Sequence, residues 1–186
     1  MMRAFIALKL PTEIIESLRV LQTDLKKLGL KLRWVRPENI HLTLKYLGEI
    51  TVEDVQAAKH VIREVARRQS TFSLEARGLG AFPTVKKARV LWSGIHGDVG
   101  RLNDLWKNLE RALGGIGFEP EQHTFRGHIT LGRVKGRADG KTLALVLSGL
   151  GSYASPAWAV DRLILFKSDL KPSGAIYTEL ASEGLT

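Results

Sequence analysis

Two copies of one short motif place a histidine and a threonine two residues apart. They are His41-Leu42-Thr43-Leu44 and His128-Ile129-Thr130-Leu131. On a β-strand, alternate side chains point to opposite faces, so each motif would present an imidazole and a hydroxyl on one face and apolar residues on the other. An unperturbed imidazole titrates near pH ~6.5, so a neutral ring can accept a proton while a protonated ring donates one. Two such motifs facing one cleft predict general acid–base chemistry.

The residues around the two histidines are suited to holding a phosphate group. The hydroxyls of Thr43 and Thr130 can donate hydrogen bonds to non-bridging phosphate oxygens, and Lys45 and Arg133 can spread the developing negative charge. This set predicts phosphodiester chemistry without a metal. A mononuclear zinc site needs three or four ligands, commonly at spacings such as His-x-x-x-His, and the sequence has no such cluster. We therefore do not expect a mononuclear zinc site.

Other residues of chemical interest have simpler interpretations. Three further histidines are expected to be structural or solvated, because they fall in a helical pattern or in predicted loops: His60, His96 and His123. Three aromatic residues are candidates either for stacking on a base or for core packing: Trp34, Phe125 and Tyr177. Two glycine-rich segments are predicted to be turns, since neither has the lysine of a P-loop nor the dinucleotide fingerprint: residues 78–80 and 114–117.

Composition indicates a globular chain with an anionic partner. Its 186 residues, 44% apolar and 25% charged, suffice for one globular unit or for two small lobes sharing a core. The 28 basic and 19 acidic residues give a charge of +9, which favours nucleic acid or a membrane surface. The absence of cysteine excludes disulfides and thiolate catalysis. The first apolar run is too short for a signal peptide, and no stretch approaches the ~20 apolar residues of a membrane span. We expect a cytoplasmic protein.

Hydrophobic periodicity predicts a mixture of strands and helices in which each motif lies on a strand. Predicted strands cover 3–9, 31–35, 40–47, the stretch from 72 to a break at 78–80, 89–95, 127–134, 159–166 and 175–180. Predicted helices run from 12 to a stop at Gly29, from a cap formed by Thr51 and Asp54, from about 99 to 113, and over 142–150. A basic loop is predicted at 135–137. Because strands and helices do not alternate regularly, we predict an α+β fold with largely antiparallel sheets.

The two motifs lie 87 positions apart, which indicates a weak internal repeat. No convincing linker separates the two halves. We therefore predict a single domain, residues 1–186, with two similar lobes that carry one motif each.

On these motifs the chain resembles the 2H phosphoesterases, and within them the RNA 2′,3′-cyclic phosphodiesterases, also called 2′-5′ RNA ligase-like proteins. The resemblance spans nearly the whole chain, and the two His-x-Thr-x motifs are its specific part. The other segments that match the family are residues 3–7, 34–49, 78–83, 89–92 and 132–133.

The resemblance implies a bilobal fold with two pseudo-symmetric lobes, whose antiparallel sheets are flanked by helices around a central cleft. It also implies hydrolysis of an RNA-terminal 2′,3′-cyclic phosphate to a 2′-phosphate by metal-independent catalysis with two histidines and without a cofactor. On that analogy His41 protonates the departing 3′ oxygen, His128 activates water, and Thr43 and Thr130 hold the phosphate. Gly127 stands where members often carry proline, which loosens the backbone before His128.

Two other functions would use the same residues. One is reversible 2′-5′ RNA ligation, and the other is non-catalytic binding of RNA or phosphate, which would show affinity without turnover. The expected partner in all cases is RNA with a 2′,3′-cyclic phosphate end or a related nucleotide. We expect no membrane association and a monomeric protein.

Overall fold

The computed structural model describes residues 1–136, 140–172 and 174–186. Within these residues the chain forms nine strands and four α-helices. The strands are β1 Met2–Lys9, β2 Leu32–Trp34, β3 His41–Ile50, β4 Phe72–Phe82, β5 Val90–Gly97, β6 His128–Val134, β7 Trp158–Val160, β8 Arg162–Lys171 and β9 Gly174–Gly184. The helices are α1 Thr12–Lys27, α2 Val52–Ala66, α3 Val99–Gly114 and α4 Gly140–Gly149.

All nine described strands join one antiparallel sheet. Its order is β7-β4-β5-β6-β3-β1-β8-β9, and β2 pairs with β6 beside this path. The predicted α+β fold with antiparallel strands is therefore confirmed, with the strands of both halves continuous through the pairing of β3 and β6. No helix in the described part of the chain is long and apolar enough to cross a membrane.

The sheet shows how the two halves of the chain are interlocked. In chain order the first half runs β1, α1, β3, α2, β4 and the second runs β5, α3, β6, α4, β8. In the sheet, however, β4 lies beside β5, and β8 lies beside β1. Each half thus places one of its later strands, β4 or β8, beside the first strand of the other half. Because neither half could complete its own sheet, we propose that the chain is the single two-lobed domain that the sequence predicts.

The core lies between the helices and one face of the sheet. The apolar residues of both motifs are almost fully buried there, with Leu42, Ile129 and Leu131 at 0% exposure and Leu44 at 4%. The inward residues of α1, α2 and α3 pack in the same cluster. The motif alternation therefore works as predicted: the apolar residues anchor the strands, and the histidines and threonines point to the opposite face.

A β-bulge at the same place in each motif strand changes which residues reach that face. The register of β3 against β1 has one extra residue between Thr43 and Lys45, and the register of β6 against β5 has one between Thr130 and Gly132. A one-residue insertion reverses the alternation beyond it. Tyr46, instead of Lys45, consequently lies on the face of the histidines.

Lys45 is therefore not a phosphate ligand, and this part of the sequence prediction is wrong. Its Nζ lies on the core side, 2.9 Å from Oε2 of Glu110 on α3 and 2.8 Å from the carbonyl oxygen of Glu119. The side chains of Lys45 and Glu110 are only 6% and 11% exposed. The same Glu110 oxygen accepts the backbone N–H of Glu121. The pair thus joins β3 to α3 and to the segment that leads toward β6.

Several element boundaries differ from the prediction. The glycines at 78–80 do not end β4, which continues to Phe82: Gly78, at φ 70°, marks an irregularity in its pairing with β5. Gly80 lies under the ring of Trp92, where a Cβ would come within 2.2 Å. The strand predicted at 159–166 is divided at Asp161 into β7 and β8. Arg137 of the predicted basic loop lies outside the described residues.

Other local predictions are confirmed. Thr51 and Asp54 form a reciprocal capping box at the start of α2. Between the strands predicted at 31–35 and 40–47 the chain forms a 3₁₀ turn, Pro37–Asn39, whose fixed proline φ suits a first helical position. Residues 142–149 of the segment predicted as a helix lie in α4. Gly114 ends α3, and residues 115–117 form the turn that follows it.

The buried pair makes a testable prediction about stability. Lys45→Met removes the ammonium group and leaves the carboxylate of Glu110 buried without a cation, which should lower the free energy of unfolding by about 3–5 kcal/mol. Urea unfolding monitored by circular dichroism measures this loss. Lys45→Met combined with Glu110→Leu should recover most of it, because an apolar pair often replaces a buried ion pair at little cost.

A matched control is Lys9→Met, which breaks the exposed Lys9–Glu179 pair. Exposed pairs contribute roughly 0–1 kcal/mol. Equal losses in Lys45→Met and Lys9→Met would contradict the structural role assigned to Lys45.

Candidate active site

Both motifs open into one cavity of about 360 Å³ on the face of the sheet opposite the core. Its lining residues are Arg3, Phe5, Val35, Asn39, His41, Thr43, Tyr46, His128, Thr130, Arg133, Ser168 and Tyr177. A cavity of this size falls in the range of small-ligand sites, ~300–1,000 Å³.

The two histidines approach each other because the motif strands are direct neighbours. Leu42 of β3 pairs with Ile129 of β6 in antiparallel register. Extending this register by one residue in each direction places His41 opposite Thr130 and His128 opposite Thr43. The two histidines are then diagonal neighbours, which are typically about 7–8 Å apart, with somewhat less between their Cβ atoms. A phosphorus atom can sit between two imidazoles at that spacing.

Each imidazole is held by a carbonyl two residues earlier in the chain. The Nδ1 atoms of His41 and His128 lie 2.7 Å from the carbonyl oxygens of Asn39 and Arg126, respectively. A carbonyl oxygen can only accept, so Nδ1 carries the proton in both rings. Nε2 therefore remains as the nitrogen that accepts or donates a proton, which is the arrangement that acid–base catalysis requires.

Gly127 does not disturb the orientation of His128. The hydrogen bond to the Arg126 carbonyl is as short as its counterpart in the first motif. A Cβ at position 127 would lie 3.0 Å from Cδ2 of Leu102, so the glycine allows close packing against α3. The looseness expected at this position is offset by that packing.

The imidazole of His41 packs against aromatic rings. The centroids of Phe5 and Tyr177 are 4.8 Å and 5.3 Å from that of His41, and Tyr177 meets it nearly edge-on at 82°. Burial among these rings lowers the pKa of His41, and the nearby His128 lowers it further, while the hydrogen bond to the Asn39 carbonyl raises it in part. His41 is therefore mainly neutral at pH 7 when no substrate is bound.

The imidazole of His128 also packs against aromatic rings, which come from β4 and β5. Phe82 lies 5.0 Å from His128, nearly edge-on at 84°, and Trp92 lies 6.2 Å away. Both histidines are thus oriented by one backbone carbonyl and by ring packing. Such double fixation reduces the freedom that a catalytic group must lose on reaching its reactive position.

The cavity is electropositive. It contains the guanidinium groups of Arg3 and Arg133, and no Asp or Glu among the described residues lines it. Arg3 donates from Nε to the Tyr46 hydroxyl and stacks over the Tyr46 ring. Burial raises the pKa of Tyr177, and nearby Arg133 lowers it in part. Tyr177 therefore remains a neutral phenol at pH 7, and the cavity is suited to an anion.

The structure brings together most of the predicted site residues. His41, His128, Thr43, Thr130 and Arg133 line the cavity, and Lys45 does not. Among the aromatic candidates, Tyr177 lines the cavity, whereas two others pack against the core: Trp34 and Phe125. His60, His96 and His123 are absent from the described lining.

Sequence reasoning missed several residues of the cavity. Tyr46 could have been found from the repeat, since it lies 87 positions before Arg133, the same offset as the histidines. Arg3 and Phe5 lie on the same face of β1. Knowledge that β1 pairs with β3 would therefore have identified both as cavity residues. Ser168 comes from β8, which reaches the site only through the strand exchange, and no sequence signal pointed to it.

Metal ligands are not clustered in the residues that the structure describes. No group of three or more histidine, aspartate or glutamate side chains there is placed to hold a metal ion. The residues that line the cavity can supply proton transfer and charge stabilisation.

Comparison with known sequences identifies the family. The family model of LigT-like phosphoesterases matches residues 8–92 and 97–177. The RNA 2′,3′-cyclic phosphodiesterase of Thermotoga maritima is 36% identical over 180 residues, covering 96% of this chain and 93% of that protein. The protein of the same name from Methanothermobacter thermautotrophicus is 32% identical over 178 residues and 96% of both chains.

Solved structures agree with this result. The crystal structure of TT0787 of Thermus thermophilus superposes with a TM-score of 0.83 at 28% identity, over 99% of this chain and 98% of that one. Escherichia coli LigT in complex with 3′-AMP superposes with a TM-score of 0.78 at 26% identity, over 100% and 98%. The chain belongs to the LigT-like phosphoesterase family, within the 2H phosphoesterases that its paired His-x-Thr motifs predicted.

Proposed function

We propose that this protein hydrolyses the 2′,3′-cyclic phosphate at the end of an RNA to a 2′-phosphate, by proton transfer between two histidines and without a metal. One observation supports this most directly: two imidazoles with the same fixed tautomer face one electropositive cavity together with two threonine hydroxyls. The relatives named RNA 2′,3′-cyclic phosphodiesterase support the same substrate class.

In the proposed reaction, His128 accepts a proton from water through Nε2 as the water oxygen attacks phosphorus. The P–O3′ bond breaks on the opposite side, and His41 donates a proton from its Nε2 to the departing 3′ oxygen. In-line displacement needs the base and the acid on opposite sides of phosphorus. The diagonal placement of the two histidines across β3 and β6 suits that requirement.

The remaining cavity residues would stabilise the negative charge that accumulates on the non-bridging oxygens. Thr43 and Thr130 are each two residues from a histidine on the same face, so their hydroxyls can donate to these oxygens. Arg133 adds a permanent positive charge. Donors fixed in place before the reaction are effective because they need no reorganisation as charge develops.

The lowered pKa of His41 must be reconciled with its role as a donor. In the free protein its proton is weakly held, because burial disfavours the imidazolium. A bound phosphate places a negative charge beside the ring and raises the pKa again. Substrate binding would thus load His41 with the proton that it donates, and a weakly held proton favours rapid transfer.

The decisive experiment uses a short RNA ending in a 2′,3′-cyclic phosphate, incubated with the purified protein in excess EDTA. We expect complete hydrolysis to a 2′-phosphate, identified by phosphorus NMR against both monophosphate standards and by resistance to enzymes specific for 3′-phosphates. Predominant 3′-phosphate would contradict the assignment of His41 as donor. Activity lost in EDTA and restored by zinc would favour a metal mechanism, and tight binding without turnover would favour a binding protein.

Substitutions should separate the proton carriers from the charge stabilisers. His41→Ala and His128→Ala should each lower kcat by roughly 10²- to 10⁴-fold. The double variant should lose little more, because residues that act as a unit are not additive. Thr43→Val and Thr130→Val each remove one hydrogen bond to a charged group, so a loss of roughly 10- to 100-fold is expected.

His96→Ala provides the matched control, since His96 is exposed on β5 and absent from the described cavity lining. Its steady-state kinetics should equal those of the wild type. Near-normal turnover in His41→Ala or His128→Ala would exclude the two-histidine mechanism.

The pH dependence follows from the lowered pKa of His41. As donor in the free enzyme, His41 must be protonated, so kcat/KM should fall as pH rises through that lowered pKa. The corresponding limb of kcat should lie at higher pH, because bound phosphate raises the pKa. Kinetics from about pH 5 to pH 9, combined with NMR titration of the histidine rings, measure both.

The NMR titration assigns each kinetic limb to a residue. We expect the alkaline limb of kcat/KM to coincide with the titration of His41. If the acidic limb coincides with it instead, His41 is the base and the roles of the two histidines are exchanged.

A further inference from the structure

Four cations form a strip that leaves the cavity along β2 and β6. Arg33 pairs directly with Arg133 across the two antiparallel strands. Lys31 and Lys135 are the next opposed pair on the same face, joined by a hydrogen bond from the Lys135 backbone N–H to the Lys31 carbonyl. All four side chains are exposed. These residues, Lys31, Arg33, Arg133 and Lys135, are called the basic strip below.

The basic strip lies on the same face as the catalytic cavity. Arg133 lines the cavity, and so does Val35, which is two residues beyond Arg33 in the β2 segment. Since alternate residues of an extended chain share a face, Lys31, Arg33 and Val35 point the same way. The strip therefore begins at Arg133 inside the cavity and continues outward over Arg33 to the two lysines.

The arrangement is unfavourable for the protein by itself. Like charges directly opposite each other on antiparallel strands destabilise a sheet. None of the four cations forms an ion pair with a carboxylate of the described residues. Two consecutive repulsive pairs without a neutralising group indicate that the compensating anions come from a ligand.

Neighbouring segments extend this excess of charge. The backbone N–H of Val134 donates to the carbonyl of Arg89, which places the 84–90 turn beside the strip. Residues 31–35, 84–90 and 131–136 together contain seven lysines and arginines and no aspartate or glutamate. These three segments thus concentrate cations on one side of the cavity, in a chain whose overall charge is +9.

We propose that the basic strip binds the backbone phosphates of single-stranded RNA on the 5′ side of the terminal nucleotide, so that the enzyme prefers polynucleotide ends to short substrates. This inference rests on the proposed function. An RNA with a 2′,3′-cyclic phosphate has a single chain leaving the reactive end, and the strip provides a path out of the cavity on one side. Lysine and arginine contacts to phosphates account for most sequence-independent affinity for nucleic acid.

The test compares a dinucleotide and a decanucleotide that share the terminal nucleotide and its 2′,3′-cyclic phosphate. The strip variant is Lys31→Gln combined with Lys135→Gln. The control variant is Lys59→Gln combined with Lys107→Gln. It removes the same charge from α2 and α3, which cover the face of the sheet opposite the cavity. We expect the wild type to have a higher kcat/KM for the decanucleotide, and the strip variant to lose roughly ten- to thirtyfold of that preference at about 0.1 M salt.

Salt dependence gives a second readout. Each phosphate contact on a single strand contributes a slope of about −0.7 in log affinity against log salt, so the strip variant should be less steep by about 1.4 for the decanucleotide. The control variant should keep the wild-type length preference and slope. The urea midpoint of the strip variant should stay equal or rise, because a cross-strand repulsion is removed.

Three results would overturn the inference. They are equal kcat/KM of the wild type for both lengths, equal losses in the strip and control variants, and loss of binding to phosphatidylserine vesicles in the strip variant with unchanged RNA kinetics. If the wild type cleaves neither substrate, the proposed function fails by itself. Fluorescence anisotropy with a labelled decanucleotide then decides the strip separately, since its affinity must fall in the strip variant and not in the control.

Discussion

The pairing of β3 with β6 is the interaction on which the candidate site depends. Each strand holds one histidine and one threonine, and the antiparallel contact between Leu42 and Ile129 fixes the two sets diagonally across a single interface. A shift of one residue would send the imidazoles into the core and the leucines into the cavity. The burial of Leu42, Leu44, Ile129 and Leu131 against the helices therefore sets the register as well as the stability.

The two motif strands form an internal repeat that is only approximate. Both motif strands have the same bulge and the same carbonyl contact to Nδ1, which makes the two imidazoles equivalent in backbone terms. Beyond each bulge the halves differ, with Tyr46 in one and Arg133 in the other. The ring contacts also differ, because β9 supplies Tyr177 beside His41 whereas β4 and β5 supply Phe82 and Trp92 beside His128. The proposed general acid and general base need different environments, and these differences are consistent with that assignment.

The two faces of the sheet differ in how their positive charges are neutralised. On the core side the cation of Lys45 is neutralised by Glu110, which joins a motif strand to a helix. On the cavity side, Arg3 and Arg133 face the site with no carboxylate in its described lining. The paired charge on the core side stabilises the fold, whereas the arginines of the cavity are available to bind an anionic ligand. The basic strip continues this positive charge beyond the cavity.

Local patterns in the chain were enough to predict the strands of both motifs, the burial of their apolar residues, the histidines and threonines of the site, and the antiparallel class of the fold. Those features follow from periodicity and from residue chemistry, which are present in any short stretch of the chain. The exclusion of Lys45 from the site and the entry of Tyr46 could not be predicted in this way, because a bulge shows only in the pairing with a neighbouring strand. The same holds for Ser168 and for the lowered pKa of His41, since strand exchange and aromatic burial depend on residues distant in sequence.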